Sequence, residues 1–210
     1  MLTIDVWSDL ACPWCYLGKR YLELALEATG LEAEVHFRSF ELDPTMSADP
    51  GYSVPEMLAK KYQMTPEQAA ASGAHLTGLG AAVGLDYVMD AVRPSNTADA
   101  HRLIKYAELR GLGAEMLDAL FADYFSKGVR LSDHEALADT AARLGLDRDE
   151  VLAFLVNDEL LAVVRRDEAE ASGVGITSVP TFVIDQKYAI PGAQDPETMG
   201  RLLMQAAAKD

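Results

Sequence analysis

The sequence predicts a mixed α/β chain whose sheet is assembled from its two ends, with helices between them. Three observations carry that expectation. Residues 2–7 and 35–40 are β-rich and alternate in character on either side of a stretch with helical spacing, a β-α-β beginning. From Pro44 to about Val174 nearly every segment has helical character. Strand character returns at Thr181–Asp185 and Tyr188–Ile190, and Pro196–Ala208 closes the chain as a helix.

Leu2–Trp7, the first strand, points into Cys12-Pro13-Trp14-Cys15. Tyr16–Ala28 spaces Leu17, Tyr21 and Leu24 near one helix face, with Pro13 where a helix starts and Gly30 where one stops. Val35–Phe40 is the second strand, and Pro44, Pro50, Gly51 and Pro55 mark an irregular stretch after it. Thr65-Pro66-Glu67 opens an Ala-rich helix towards Gly84. Ser95-Asn96-Thr97 caps a helix through Glu108, closed by Gly111, and another covers Gly113–Phe125. Ser132 with Glu135 reads as a capping box, Asp147–Glu150 repeats the start signal, and a charged helix runs from Glu159 to about Ser172. A turn at Gln186-Lys187 joins the last two strands. The expected division is residues 1–44 with 175–210 as an α/β domain, and 45–174 as an inserted helical domain.

With 210 residues, half of them apolar and a quarter charged, the chain is an ordinary globular protein. Its 18 basic and 33 acidic residues give 18 − 33 = −15, which argues against nucleic acid or an anionic membrane surface as a partner. Met1–Asp9 carries no basic residue, so a secretory signal is not expected, and the default address is the cytoplasm. Only two cysteines exclude a disulfide-stapled scaffold, yet they stand together as Cys12 and Cys15.

A structural zinc site takes four ligands, and this chain has no second Cys or His pair at ligand spacing; no metal is expected. As a staple, so small a loop contributes only about 2 kcal/mol. Redox chemistry explains the spacing better. The first strand delivers Cys12 to a helix start, where unpaired N–H groups and the helix dipole favour a thiolate, the nucleophile of disulfide exchange. Cys15 lies one turn on, within reach of a mixed disulfide. Pro13 sets the turn without losing a useful N–H, and Trp14 supplies an apolar face beside the sulfur. Far downstream, Val179-Pro180-Thr181-Phe182 places a proline directly before a β run, where it must open a strand or lie at an edge.

An N-terminal C-x-x-C with a late Val-Pro-Thr-Phe strand is the pattern of the thioredoxin fold. The chain resembles the DsbA-like thioredoxin superfamily, in particular its FrnE-like branch of bacterial dithiol–disulfide oxidoreductases. The likeness is carried by Ile4–Asp9 with Cys12–Lys19, by Phe37–Pro44, by Asn96-Thr97 with Ala100–Leu103, and by Gly175–Ile184 and Tyr188–Gln194. It implies a thioredoxin fold, β-α-β … β-β-α, with a large all-helical insertion between strands 2 and 3. It implies Cys12 as nucleophile, Cys15 as resolving thiol, and a cis Pro180 holding the Val179 backbone beside Cys12, where it can pair with an extended peptide or thiol ligand. The insertion is expected to form a groove over that face. No cofactor beyond the redox-active dithiol is implied, though glutathione is a candidate co-substrate. Trp14 stands where the family's periplasmic oxidases typically carry histidine, so no imidazolium neighbours Cys12.

Weaker signals are read more plainly. Gly78, Gly80 and Gly84 imitate a nucleotide-binding loop but end a helix, which indicates close packing. His101 is read as a packed, hydrogen-bonded histidine, and Arg165–Glu168 as a solvated charged face. Asn96 is a ligand-facing candidate or an N-cap. Gln194 and Asp195 match in place a segment that holds glutathione in kappa-class transferases and 2-hydroxychromene-2-carboxylate isomerases, or else Asp195 caps the last helix. Thiol–disulfide exchange is thus the leading expectation, with a glutathione-dependent isomerase or transferase as the alternative. Cys15 favours the first, because isomerisation needs no resolving thiol.

Overall fold

The structure, a computed structural model, describes residues 1–209. Four strands form one sheet in the order β2-β1-β3-β4, from β1 (Leu2–Ser8), β2 (Ala33–Ser39), β3 (Thr181–Ile184) and β4 (Tyr188–Pro191). β1 runs parallel to β2, with Leu2 opposite Ala33 and Ser8 opposite Ser39, and antiparallel to β3, with Trp7 opposite Thr181. β4 completes a hairpin with β3. The ends of the chain therefore build one sheet, as the sequence predicts. This is the thioredoxin fold with helices between its halves.

β1 is central, and its period-two pattern divides two kinds of packing. Leu2, Ile4 and Val6 pack with Leu22 and Ala25 of α1 (Pro13–Thr29), with Phe182 and Ile184, and with Met199 and Leu203 of α9 (Pro196–Ala207). Each of the larger of these side chains removed from water contributes roughly 1.5–3 kcal/mol. Asp5 and Trp7 point the other way. Trp7 packs with Ala171 of α8 (Leu161–Gly173) and with Ile176, and its indole N–H donates to the Asp167 carbonyl at 2.9 Å.

α8 corrects two expectations in part. Val164, Asp167 and Ala171 recur on one face and are fully buried, so Asp167 is turned away from solvent while Arg165 and Arg166 of the same run are exposed. The Asp167 carboxylate accepts the Ser39 N–H at 3.1 Å and faces Arg38, which also donates to Asp5 at 2.8 Å. Arg165 pairs with the buried Glu41. These bonds place the helix with the sheet, so the chain divides into Met1–Leu42 with Val164 onward and Asp43–Val163, not at residue 174.

The helical unit contains α2 (Val54–Tyr62), α3 (Pro66–Ala81), α4 (Ala98–Glu108), α5 (Gly113–Lys127), α6 (His134–Arg143) and α7 (Arg148–Leu155). Leu103, Met116, Leu117, Leu120, Phe121, Phe125 and Leu137 are buried in it. Among its buried charges, Asp123 receives bonds from Lys127, Thr140 and Arg143. α2 falls where the sequence predicts irregular chain. It buries none of its residues, which removes the apolar periodicity, although Ser53 and Glu56 form a capping box. The cap of α6 is Asp133, accepting from the Glu135 and Ala136 N–H groups, while Ser132 donates to the Ala48 carbonyl. Gly80 does pack closely, since a Cβ there would lie 2.4 Å from the Tyr87 ring, but Gly78 and Gly84 face open space, so close packing explains one of the three. Among the described residues no helix is long and apolar enough to cross a membrane.

Candidate active site

The turn between β1 and α1 brings two thiols to the end of the sheet. The Cys12 N–H donates to the Asp9 carbonyl at 3.0 Å, and Cys12 is the N-cap of α1 with Pro13 at its first position. No acidic side chain occupies the first turn of α1, so the positive end of the helix dipole is not neutralised there. The Cys15 N–H donates to the Cys12 carbonyl at 3.0 Å, which stacks the second thiol one turn above the first.

Both cysteines are free thiols and both are buried, Cys12 at 5% exposure and Cys15 at 2%. Burial above all, then the hydrogen bond and charge of Cys12, push the Cys15 thiol well above its ordinary value. The Asp9 N–H and the Ser8 hydroxyl pull it down only in part. Cys15 is therefore protonated at neutral pH, and must lose its proton when it attacks.

That protonation has a consequence for stability. An unfolded thiol ionises from about pH 8.5 upward, whereas folded Cys15 keeps its proton, so folding binds a proton in that range and stability falls as pH rises. Below it both states are protonated and the contribution is constant. In a Cys12→Ser background, urea unfolding is expected to lose up to about 1.4 kcal/mol per pH unit above pH 9, a slope that Cys15→Ser removes. Parallel profiles with and without Cys15 would contradict the assignment.

The segment before β3 meets Cys12 from the far end of the chain. The Cys12 thiol donates to the Val179 carbonyl at 3.7 Å, and the Val179–Pro180 peptide bond is cis. The Pro180 carbonyl accepts the Gly192 N–H at 2.8 Å, and the Thr181 hydroxyl donates to the Ser178 carbonyl at 2.7 Å, so the segment is held on both sides. Trp14 is 38% exposed at the start of α1. The structure thus brings the Cys12-Pro13-Trp14-Cys15 turn and the Val179-Pro180 segment together.

Asp9 is a residue the sequence reading missed. Its buried carboxylate accepts the Ala11 N–H at 3.2 Å and the Leu42 N–H at 2.7 Å, tying the thiol turn to the chain leaving β2. An acidic residue between an apolar strand and the C-x-x-C was its only signal.

The remaining candidates are engaged locally. Asp195 accepts the Thr198 N–H at 3.0 Å as N-cap of α9, and those bonds hold its carboxyl below the usual range. Gln194 donates to the Pro191 carbonyl at 2.8 Å. Asn96, in the helical unit, accepts the Ala98 N–H at 2.9 Å in an Asx turn before α4. His101 is buried on α4.

Residues 3–204 match the DSBA-like thioredoxin domain. The chain belongs to the DsbA-like thioredoxin family. This is a family of thiol–disulfide oxidoreductases. A probable DsbA oxidoreductase from Streptomyces coelicolor is 40% identical, with a TM-score of 0.95 over 100% of this chain and 92% of that one. A 2-hydroxychromene-2-carboxylate isomerase superposes with a TM-score of 0.70 at 15% identity, covering 99% of both chains. The cytosolic disulfide reductase DsbM from Pseudomonas aeruginosa does so at 0.68 and 18%, covering 99% of this chain and all of that one. These last two likenesses are of fold.

Proposed function

We propose that this DsbA-like protein exchanges disulfides through Cys12 and Cys15 and acts on a peptide or small-molecule thiol partner. The observation that carries the reading is the pairing of an N-cap thiol against the Val179 carbonyl with a buried, protonated thiol one turn on. In the reductive direction the Cys12 thiolate attacks one sulfur of a substrate disulfide and expels the other as a thiolate. Cys15 then gives up its proton and attacks Cys12 Sγ. The mixed disulfide breaks, the second substrate thiol leaves, and two electrons have passed from the dithiol to the substrate. Oxidation of a dithiol substrate is the reverse sequence, and the partner's potential sets the direction.

An extended substrate would pair with the Val179 backbone, adding one β-like rung beside Cys12. The Cys12-Pro13-Trp14-Cys15 motif supports placing the chain in the FrnE-like branch. Action in the cytoplasm, where glutathione is available as co-substrate, is part of this reading, supported by the fold shared with a cytosolic disulfide reductase. Asn96, Gln194 and Asp195 are kept as candidate ligand contacts. A glutathione-dependent isomerase would not need Cys15, and its retention favours exchange.

A Cys15→Ser variant tests this directly. It is expected to accumulate a stable mixed disulfide on Cys12 when given a peptide disulfide or oxidised glutathione, seen by intact mass. Isomerisation of an aromatic enol or pyruvate substrate without Cys15, with no peptide adduct, would overturn the reading.

A further inference from the structure

Gly18 lies on α1 three residues beyond Cys15 and is buried. A Cβ at this position would meet Pro180 Cγ at 3.0 Å, Phe182 Cζ at 3.3 Å and Ala193 Cβ at 3.4 Å. Carbon atoms pack best at about 3.5–4.0 Å, so a methyl there forces one wall of the gap to move. The Phe182 ring is fully buried in the sheet core, and Pro180, closed into its ring, can give way only by the small shift of Cγ that a change of ring pucker allows. A glycine inside a helix costs about 1 kcal/mol relative to alanine. Close approach of α1 to the Pro180 segment is what the missing side chain permits.

We infer that Gly18 is a positioning residue for peptide substrates: it sets the depth of α1 against Pro180, and with it the spacing of Cys12 from the Val179 backbone. The inference rests on the proposed role of Cys12 as nucleophile. Cys12, Cys15 and Gly18 are carried by one helix, and Pro180 is joined to Val179 by a single peptide bond, so the two halves of the site meet at this contact. The Cys12 Sγ to Val179 oxygen distance of 3.7 Å is its outcome. A peptide paired with Val179 must present its sulfur to Cys12 in near-attack geometry, which tolerates little displacement. A small alkylating reagent needs only the sulfur itself.

The experiment compares reduction of a peptide disulfide with alkylation of Cys12 by iodoacetamide, followed by mass spectrometry. Gly18→Ala is expected to slow the peptide reaction about tenfold while alkylation stays within about twofold. Ala193→Val crowds the same gap from a half-buried position outside the helix and is expected to reproduce the selective loss, which covers the case in which Gly18→Ala does not fold. Equal loss in both reactions, or no loss in either, would overturn the assignment of Gly18. If the wild type alkylates at Cys12 but reduces no disulfide, the oxidoreductase reading fails first and takes this one with it.

Discussion

Replacing Cys12 with serine is expected to reduce disulfide exchange by on the order of 10³-fold or more, to the background of the reagents. A serine hydroxyl does not ionise in water near neutrality and cannot form the mixed disulfide. Cys15 offers no substitute. It is 2% exposed, and burial pushes its thiol well above the ordinary value, so it presents little thiolate to an incoming disulfide. The fold should be unaffected, because the N-cap position of Cys12 uses its backbone and no side-chain cap bond. Turbidity of a reduced insulin substrate and discontinuous assay of a peptide disulfide both read the rate. Residual exchange above about a tenth of wild type would mean that another group is the nucleophile.

The largest effect on stability is expected at Arg102, in the helical unit. Its guanidinium, 2% exposed with its residue, donates to the carbonyls of Glu159 at 2.8 Å and Phe154 at 3.1 Å, to that of Asn157, and to Asp99 Oδ1 at 2.6 Å. It also lies 4.9 Å from the centre of the Phe154 ring. The last carbonyls of a helix have no intrahelical partner, and Arg102 reaches from α4 to Phe154 and Leu155 at the end of α7 and to Asn157 and Glu159 just beyond it. Arg102→Met keeps the apolar stem but removes the donors to the Glu159 and Asn157 carbonyls and leaves Phe154 with the Asn157 N–H at 3.4 Å, at an expected cost of about 3–5 kcal/mol. Lysine has one ammonium in place of a planar fork and should recover less than half. Urea unfolding by far-UV circular dichroism measures both, and a loss below about 1 kcal/mol for methionine would show that water or a rearranged α7 end replaces the donors.

Most of the site was legible because its signals are local. A β-rich strand running into C-x-x-C, with Pro13 at the helix start, already specifies where Cys12 and Cys15 stand on α1. The strand before Pro180 was legible for the same reason. α2 was not, because a helix that buries nothing leaves no apolar stripe, and its capping box lay among prolines and a glycine that read as loop. Asp167 was misread because a charged side chain signals solvent unless its partners are known, and those partners, Ser39 and Arg38, lie more than 120 residues away. Asp9 was passed over on the same ground.

The sequence by itself determined the sheet's strands, the helix that begins at Cys12, and the place of the dithiol at its head. It did so because periodicity, caps and a four-residue motif are written within one or two turns of chain. Only the tertiary structure decided what is built around those thiols: the Val179 carbonyl that Cys12 meets 167 residues on, the carboxylate of Asp9 tying their turn to Leu42, and Gly18 as the point where α1 meets Pro180. A residue without a side chain contributes nothing to an apolar pattern, and its meaning comes from the atoms that close over it.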